Sequence, residues 1–230
     1  MRADFVVANI ENAAGGFGLT PQIAAEILDS EIDLLTSGNH IWDKRTIVPY
    51  LSEQPRLLRP CNYPEGTPGT GVFLGHSKCG VLVGVINLQG RVFMASNDDP
   101  FRVADELLKQ ITAKVIMVDM HAEATSEKLS LGWYLEGRVT AVLGTHTHVP
   151  TADEKILGGG TAVQTDVGMT GPYESVIGVQ KDQIVQRFLT NMPARFEAAT
   201  NDVRLCAALI DCDAETGRAT GIERIMLRQE

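Results

Sequence analysis

Four short apolar segments of this 230-residue chain end abruptly in side chains that can bind a metal ion. They lead into Glu11-Asn12, Asn39-His40, His121 and His146-Thr147-His148, which together contain four of the five histidines. The carboxyl ends of parallel strands meet along one edge of an open α/β sheet, where ligand sites form. If the segments are parallel strands, the four polar groups lie together at that edge although they are far apart in the sequence.

The first fifty residues favour that arrangement. Phe5–Ile10 is predicted to be an apolar strand, and Ile32–Thr36 a second one. Between them, Thr20 suits the N-cap of a helix and Pro21 its first position, with the helix reaching about Ser30. A strand, a helix and a strand in this order predict a parallel pair joined by a right-handed crossover.

The rest of the chain alternates in a similar way. The predicted strands and hairpins cover residues 71–74, 81–88, 115–118, 139–143, 161–165 and 203–227, and the predicted helices 98–111, 126–136 and 181–191. Val115–Val118 is nearly all apolar, which is typical of a strand covered on both faces. Because no linker, repeat or low-complexity stretch interrupts this order, we expect a single α/β domain over residues 1–230.

Composition excludes several classes of protein. Hydrophobic residues make up 44% of the chain and charged residues 21%, which excludes a disordered chain. The net charge of −9 argues against a broad basic surface, so we expect no stable binding to duplex nucleic acid. No apolar run approaches the roughly 18 residues of a membrane span, so no membrane partner is expected. The four cysteines form no C-x-x-C pair and no signal peptide is evident, which predicts a cytoplasmic protein with reduced thiols.

Each polar group has an ordinary structural interpretation when it is taken alone. Glu11-Asn12 and Asn39-His40 are also typical of turns, and His121 could be a buried histidine satisfied by a neighbour. The strongest single signal is His146-Thr147-His148, because residues i and i+2 of an extended segment project to the same side. The coincidence of four such strand ends favours a metal site over four unrelated turns.

The types of donor atom limit which metals can bind and which reactions they can support. Carboxylate, amide oxygen and imidazole without thiolate suit manganese, iron or zinc. Two ions about 3.5–4 Å apart, bridged by a carboxylate, suit phosphoryl chemistry because they bind phosphate oxygens and lower the pKa of a bound water. The ions would also explain how an acidic protein could bind a phosphate anion.

Longer segments around these groups carry a resemblance to a known family. The segments are Ile10–Gly18, Ser37–Asp43, Asn87–Met94, His121–Lys128, Gly144–His148 and Thr165–Gly171. In register from about residue 4 to about residue 197, they resemble the bacterial YmdB-like metallophosphoesterases, a branch of the calcineurin-like phosphoesterases.

The resemblance implies a four-layer α/β/β/α sandwich with two metal ions, iron first and manganese or zinc as alternatives. It also implies a small phosphodiester substrate, such as a 2′,3′-cyclic nucleotide, attacked by a hydroxide that the metals hold. By motif position, the metal ligands are Glu11 as the bridge, Asn12 and His148 at the first ion, and Asn39, His121 and His146 at the second.

The resemblance places His40 at the substrate phosphate, because it directly follows the ligand Asn39. There it would stabilise the transition state or protonate the leaving alkoxide. The alternative is that His40 only orients a ligand. Asp119, Glu123 and Asp166 are expected to support the ligands or the structure rather than to bind metal.

One departure from the family pattern concerns the first ion. The family begins with an earlier strand that ends in a Gly-Asp-x-x-Gly turn, whose Asp is a metal ligand, and this sequence contains no match to it. We therefore expect an N-terminally incomplete fold in which the first ion lacks one ligand.

Two alternatives to a phosphodiesterase stay open: a regulatory or interaction protein that keeps the fold and at most one metal, and a metal-dependent amide hydrolase. Homo-oligomerisation also stays open.

Overall fold

The computed structural model describes residues 3–229. The strands are β1 Val7–Asn9, β2 Leu34–Thr36, β3 Val72–His76, β4 Leu82–Gln89, β5 Val115–His121, β6 Ala141–Thr145, β7 Lys155–Ile156, β8 Ala162–Gln164, β9 Gly171–Pro172, β10 Val203–Cys212 and β11 Ala219–Arg228. The α-helices are α1 Pro21–Leu28, α2 Ile47–Glu53, α3 Pro100–Leu108, α4 Thr125–Tyr134 and α5 Lys181–Thr190, and a 3₁₀ turn covers Asn39–Trp42.

The largest sheet has the strand order β3-β4-β5-β6-β8-β7. Its central strands β4, β5, β6 and β8 run parallel, and the edge strands β3 and β7 are antiparallel to their neighbours. Gln89 of β4 pairs with His121 of β5, which pairs in turn with Thr145 of β6. The register therefore places the carboxyl ends of three parallel strands side by side, as the sequence predicts.

Strands β1 and β2 form a separate parallel pair, which confirms the predicted strand–helix–strand unit. Helix α1 also begins as predicted, because the Thr20 hydroxyl accepts a hydrogen bond of 3.4 Å from Ile23 N and Pro21 is the first helical residue. Strand β1 is shorter than the predicted strand Phe5–Ile10. Within residues 3–229, β1 has no strand partner except β2.

Alternating side chains show how the layers stack. Leu34 of β2 packs with Val83 and Val85 of β4, whereas the next residue, Leu35, packs with α1 and α2. Ile86 of β4 lies on the opposite face of the large sheet, in a core shared with α3 and α4. The order of layers is α3 with α4, the six-stranded sheet, a second layer of strands, and α1 with α2. The predicted α/β/β/α sandwich is confirmed.

The third sheet, of order β11-β10-β9, belongs to the second layer of strands. Ile210 of β10 and Ile222 of β11 pack against Ala141 and Leu143 of β6. The long hairpin that the sequence predicts over residues 203–227 is thereby confirmed, and it covers the part of the large sheet that β1 and β2 leave open.

Two helices differ from the sequence prediction. No helix is predicted where α2 forms, and Pro49 is tolerated in it since it falls in the first turn. Helix α5 forms where it is predicted, but none of its residues is buried, and Phe188 is 85% exposed. An amphipathic pattern shows which face of a helix is apolar, not whether a neighbour covers it.

Among the described residues, no helix has the length and apolar content that crossing a bilayer requires.

Candidate metal centre

Four of the predicted ligands meet at the carboxyl edge of the large sheet. Glu11 follows β1, His121 ends β5 and His146 follows β6, and one ligand atom of each lies within 4.8 Å of the other two. The His121 Nε2 atom is 3.2 Å from Glu11 Oε1 and 3.1 Å from His146 Nδ1. Asn39, in the 3₁₀ turn after β2, completes the group with Oδ1 at 3.0 Å from His121 Nε2. The structure therefore brings together the four residues that the sequence assigns to the second ion.

A chain of hydrogen bonds fixes the His121 ring. The Thr145 hydroxyl donates to Asp119 Oδ1 at 2.7 Å, and its oxygen lies 2.9 Å from His121 Nδ1. Because the hydroxyl hydrogen is directed at Asp119, the oxygen accepts the hydrogen of Nδ1. Nε2 of His121 therefore presents a lone pair to the cluster. Asn9 Nδ2 holds the same Asp119 carboxylate at 3.1 Å.

The His146 ring is oriented in a comparable way. Its Nε2 lies 3.2 Å from Glu123 Oε2, so Nε2 carries the hydrogen and Nδ1 presents a lone pair toward His121. Two imidazole nitrogens, a carboxylate oxygen and an amide oxygen thus converge, with His121 Nε2 3.0–3.2 Å from each of the other three atoms. A cation satisfies all four atoms, and this donor set suits iron, manganese or zinc. Gly38 keeps the space open, since a Cβ there would lie 2.1 Å from His121 Nε2.

Burial is the main influence on the charge of these groups. It raises the pKa of Glu11 to about 7, opposed by the hydrogen bond that His40 N donates to Oε2 at 3.0 Å. Burial also lowers the pKa of His121 well below its usual value and lowers that of His146. Neutral imidazoles can bind a metal, and a nearby positive charge stabilises a buried carboxylate. The electrostatics of the cluster therefore favour a cation.

The two residues predicted for the first ion lie beside Glu11 and each other. Asn12 Nδ2 is 3.2 Å from His148 Nε2 and 3.5 Å from Glu11 Oε1. His148 Nδ1 donates to the Ile177 carbonyl at 2.9 Å, so its Nε2 carries a lone pair. Among the described residues, Asn12 Oδ1 is buried and has no hydrogen-bond partner, whereas buried polar atoms are nearly always paired. The amide NH₂ of Asn12, not Oδ1, faces His148 Nε2 and Glu11 Oε1, so the amide must turn over for Oδ1 to join them as donors to a second ion.

The segment His146–His148 corrects one sequence argument. It is not extended, because φ is +102° at His146 and +66° at His148, a region that residues other than glycine rarely adopt. The two rings consequently reach different partners, one at His121 and the other at Asn12. Each such residue costs on the order of 1–3 kcal/mol, so the surroundings must hold it in place.

His40 lies beside the cluster with its ring partly open to solvent. The side chain is 33% exposed, and Nδ1 lies 2.8 Å from Asp43 Oδ2. The Phe17 ring contacts the imidazole edge-on, with centroids 5.7 Å apart. Among the described contacts, Nε2 of His40 has no partner, so this nitrogen is available to a ligand bound at the cluster.

Sequence reasoning misses three residues that act around this centre. Thr145 orients His121, Asp43 holds His40, and Lys128 forms a buried ion pair of 2.8 Å with Asp166. Thr145 can be recognised only from the strand register, which sets it beside His121. Lys128 lies on a helix of mixed polarity and looks like a surface lysine in the sequence.

Comparison with known proteins gives a consistent result. A family model described as "YmdB-like protein" matches residues 1–225. A Bacillus subtilis protein named 2′,3′-cyclic-nucleotide 2′-phosphodiesterase is 49% identical over 228 residues, covering 98% of this chain and 86% of the relative. A Mycoplasma pneumoniae protein named putative phosphatase/phosphodiesterase is 31% identical over 240 residues, covering 100% of this chain and 84% of the relative.

Two solved structures are similar over nearly the whole fold. One is a hypothetical protein from Thermus thermophilus, with a TM-score of 0.94 and 44% identity, covering 100% of this chain and 89% of the other. The second is described as a novel phosphatase from Mycoplasma pneumoniae, with a TM-score of 0.92 and 31% identity, covering 98% and 83% of the two chains.

Proposed function

This chain belongs to the YmdB-like protein family, and we propose that it hydrolyses small phosphodiesters, 2′,3′-cyclic nucleotides among them, at a centre of two metal ions. The observation that carries the proposal is the convergence of His121 Nε2, His146 Nδ1, Glu11 Oε1 and Asn39 Oδ1, with His121 Nε2 3.0–3.2 Å from each of the other three atoms. The relatives named phosphodiesterase and phosphatase support a hydrolase of phosphoester bonds, as the sequence predicts.

The residues of this chain would divide between the two ions as the sequence suggests. Asn39, His121 and His146 would hold one ion and Asn12 and His148 the other, with Glu11 between them. Bound ions supply positive charge for the phosphate oxygens and acidify the attacking water. The oxygen and nitrogen donors suit iron, manganese or zinc, and the resemblance to the family is what puts iron first. Free thiols at Cys61, Cys79, Cys206 and Cys212 support a reducing, cytoplasmic location as part of this proposal.

His40 is the proposed catalytic residue. In the hydrolysis of a 2′,3′-cyclic nucleotide, water adds to phosphorus while the bond from phosphorus to the 2′ oxygen breaks. The leaving oxygen needs a proton, which His40 can donate from Nε2. Asp43, at 2.8 Å from Nδ1, holds the ring in position for the transfer. Glu11 fixes the backbone of the same residue by accepting from His40 N.

Hydrolysis of 2′,3′-cyclic AMP by metal-free protein reloaded with Mn²⁺ or Fe²⁺ tests the proposal. We expect release of a nucleoside monophosphate that chelation abolishes and readdition of metal restores. His40→Asn should lower kcat by about 10²–10⁴-fold, the usual contribution of general acid catalysis, with metal content unchanged. His76→Asn is the matched control, since His76 lies in β3, outside the cluster. Metal-loaded wild type that hydrolyses neither this substrate nor bis-p-nitrophenyl phosphate would refute the proposal.

A further inference from the structure

The backbone that carries His146 and His148 is held by a residue that binds neither ring. Thr147 lies between the two histidines, and both of its hydrogen-bond donors point at one atom. Its N–H and its hydroxyl donate to Asp166 Oδ2, at 3.0 Å and 2.8 Å respectively. The segment is therefore fixed through its middle residue, while positive φ angles on either side turn the two rings toward different partners.

Asp166 is itself fixed on every side. Lys128 Nζ donates to the same Oδ2 at 2.8 Å, and Gly168 N donates to Oδ1 at 2.9 Å. The backbone of Asp166 is tied to Thr151, whose hydroxyl accepts from Asp166 N at 2.9 Å. The side chains of Lys128 and Asp166 are 3% and 2% exposed. Because both side chains are buried, each charge is compensated by the other rather than by solvent.

We propose that Asp166 and Lys128 are positioning residues that lock the His146–His148 segment in its left-handed backbone conformation, so that each imidazole is presented to its own metal ion. A buried ion pair is weak evidence of stabilisation, because desolvation offsets the attraction between the charges. The carboxylate of this pair instead holds Thr147, the residue that lies between His146 and His148. The inference rests on the proposed function, because it assumes that His146 and His148 bind metal.

A role in metal binding can be separated from a role in folding by four variants. Asp166→Asn removes the carboxylate and leaves Lys128 buried without a counter-charge, whereas the double variant Lys128→Met/Asp166→Asn removes both charges. Thr147→Val removes the hydroxyl donor and keeps the N–H, and Thr147→Ser is its matched control, which keeps both. Each protein is stripped of metal, its Mn²⁺ affinity is measured by calorimetry, and its thermal unfolding is followed in chelator.

We expect Asp166→Asn to unfold at a lower temperature and to bind Mn²⁺ about 10–100-fold more weakly, as removal of a supporting residue usually does. The double variant should recover the unfolding temperature but not the affinity. Thr147→Val should weaken Mn²⁺ binding several-fold with little change in unfolding, and Thr147→Ser should bind like wild type.

Two results would overturn the inference while leaving the proposed function intact. One is recovery of both stability and Mn²⁺ affinity in the double variant; the other is equal affinity in Thr147→Val and Thr147→Ser. Should Asp166→Asn fail to fold, the Thr147 pair still decides the question. Wild type that binds no Mn²⁺ would instead refute the proposed function, and this inference with it.

Discussion

The two halves of the metal centre are built differently. The half around His121 contains two buried ligands, Glu11 and His121, and two partly exposed ones, Asn39 and His146, with Thr145 and Asp119 behind the His121 ring. The half around Asn12 and His148 lies on loops, and a loop carbonyl at Ile177 orients the imidazole. In the first half the sheet register positions His121, whereas in the second half a loop contact orients His148.

Because of this difference, we expect the two ions to bind with unequal affinity. A ligand fixed by packing and hydrogen bonds loses little freedom on binding, so it contributes more to affinity than a mobile one. We therefore expect the half around His121 to bind its ion more tightly than the half around His148. Variants of the half around His121 should therefore have larger effects than variants of the half around His148 or of remote residues.

The largest expected effect comes from removing one imidazole from each half. His121→Asn should abolish tight metal binding and lower kcat/KM by about 10³-fold, because an ion contributes several kcal/mol to the transition state. His148→Asn should lower the metal content by one ion and cost less activity. Elemental analysis and steady-state kinetics check both. Equal losses of metal and activity in the two variants would contradict the unequal halves.

Glu11→Gln should change how the stability of the metal-free protein depends on pH. Burial raises the Glu11 pKa from 4.5 to about 7 in the folded state, so folding favours the protonated carboxyl. The stabilisation is complete below pH 4.5 and is lost as the pH rises through 7, a loss of about 3 kcal/mol by linkage. Urea unfolding in chelator at pH 5 and pH 8 should show this loss in wild type and not in Glu11→Gln.

The control for that experiment is Glu26→Gln, because Glu26 is exposed on α1 and, among the described residues, its side chain is hydrogen-bonded only to Gln22. It should keep the wild-type pH dependence. If Glu11→Gln also keeps it, burial of Glu11 is not the source of the loss, and the electrostatic argument for a cation at this position fails.

Gly38→Ala should damage the half around His121 by crowding rather than by removing a ligand. The new Cβ would lie 2.1 Å from His121 Nε2, so the ring or the turn must shift, at a cost of about 1–3 kcal/mol. Gly158→Ala is the matched control, since its Cβ would meet Glu136 Oε1 at an ordinary 3.4 Å. The free energy of unfolding in denaturant and the affinity for Mn²⁺ should both decrease in Gly38→Ala and not in Gly158→Ala. Unchanged Mn²⁺ binding in Gly38→Ala would mean that His121 is not a ligand.

The smallest expected effect concerns the orientation of His121. Thr145→Val removes the oxygen that accepts from Nδ1 and should weaken metal binding about 10-fold, the lower end for such support. Thr145→Ser keeps the oxygen and should bind metal like wild type. Isothermal titration with Mn²⁺ compares the two variants. If Thr145→Val binds as tightly as Thr145→Ser, packing alone orients the ring, and the contrast between the halves is weaker than we infer.

The sequence predicts most of the fold because its signals are local. The cap at Thr20, the apolar strand Val115–Val118 and the turn before β11 each follow from nearby residues. Helix α2 is not predicted, and the structure shows that Pro49 is tolerated in its first turn. The exposure of α5 is missed because nothing in its own sequence indicates whether a neighbour covers it.

The site divides along the same line. Glu11, Asn39, His121 and His146 can be predicted because strand ends converge, whatever the details of the loops. The left-handed backbone at His146 and His148 cannot be predicted, because it depends on Asp166, which follows twenty residues after His146. The role of Thr145 depends on strand pairing, which a single sequence does not reveal.

The most direct test of the metal centre is an anomalous-diffraction map of crystals grown with Mn²⁺. Our account predicts a strong peak in contact with Glu11, Asn39, His121 and His146, and a weaker peak beside Asn12 and His148. Crystals of metal-loaded protein with no anomalous peak at the first position, and with His121 Nε2 donating a hydrogen bond to Glu11, would contradict it.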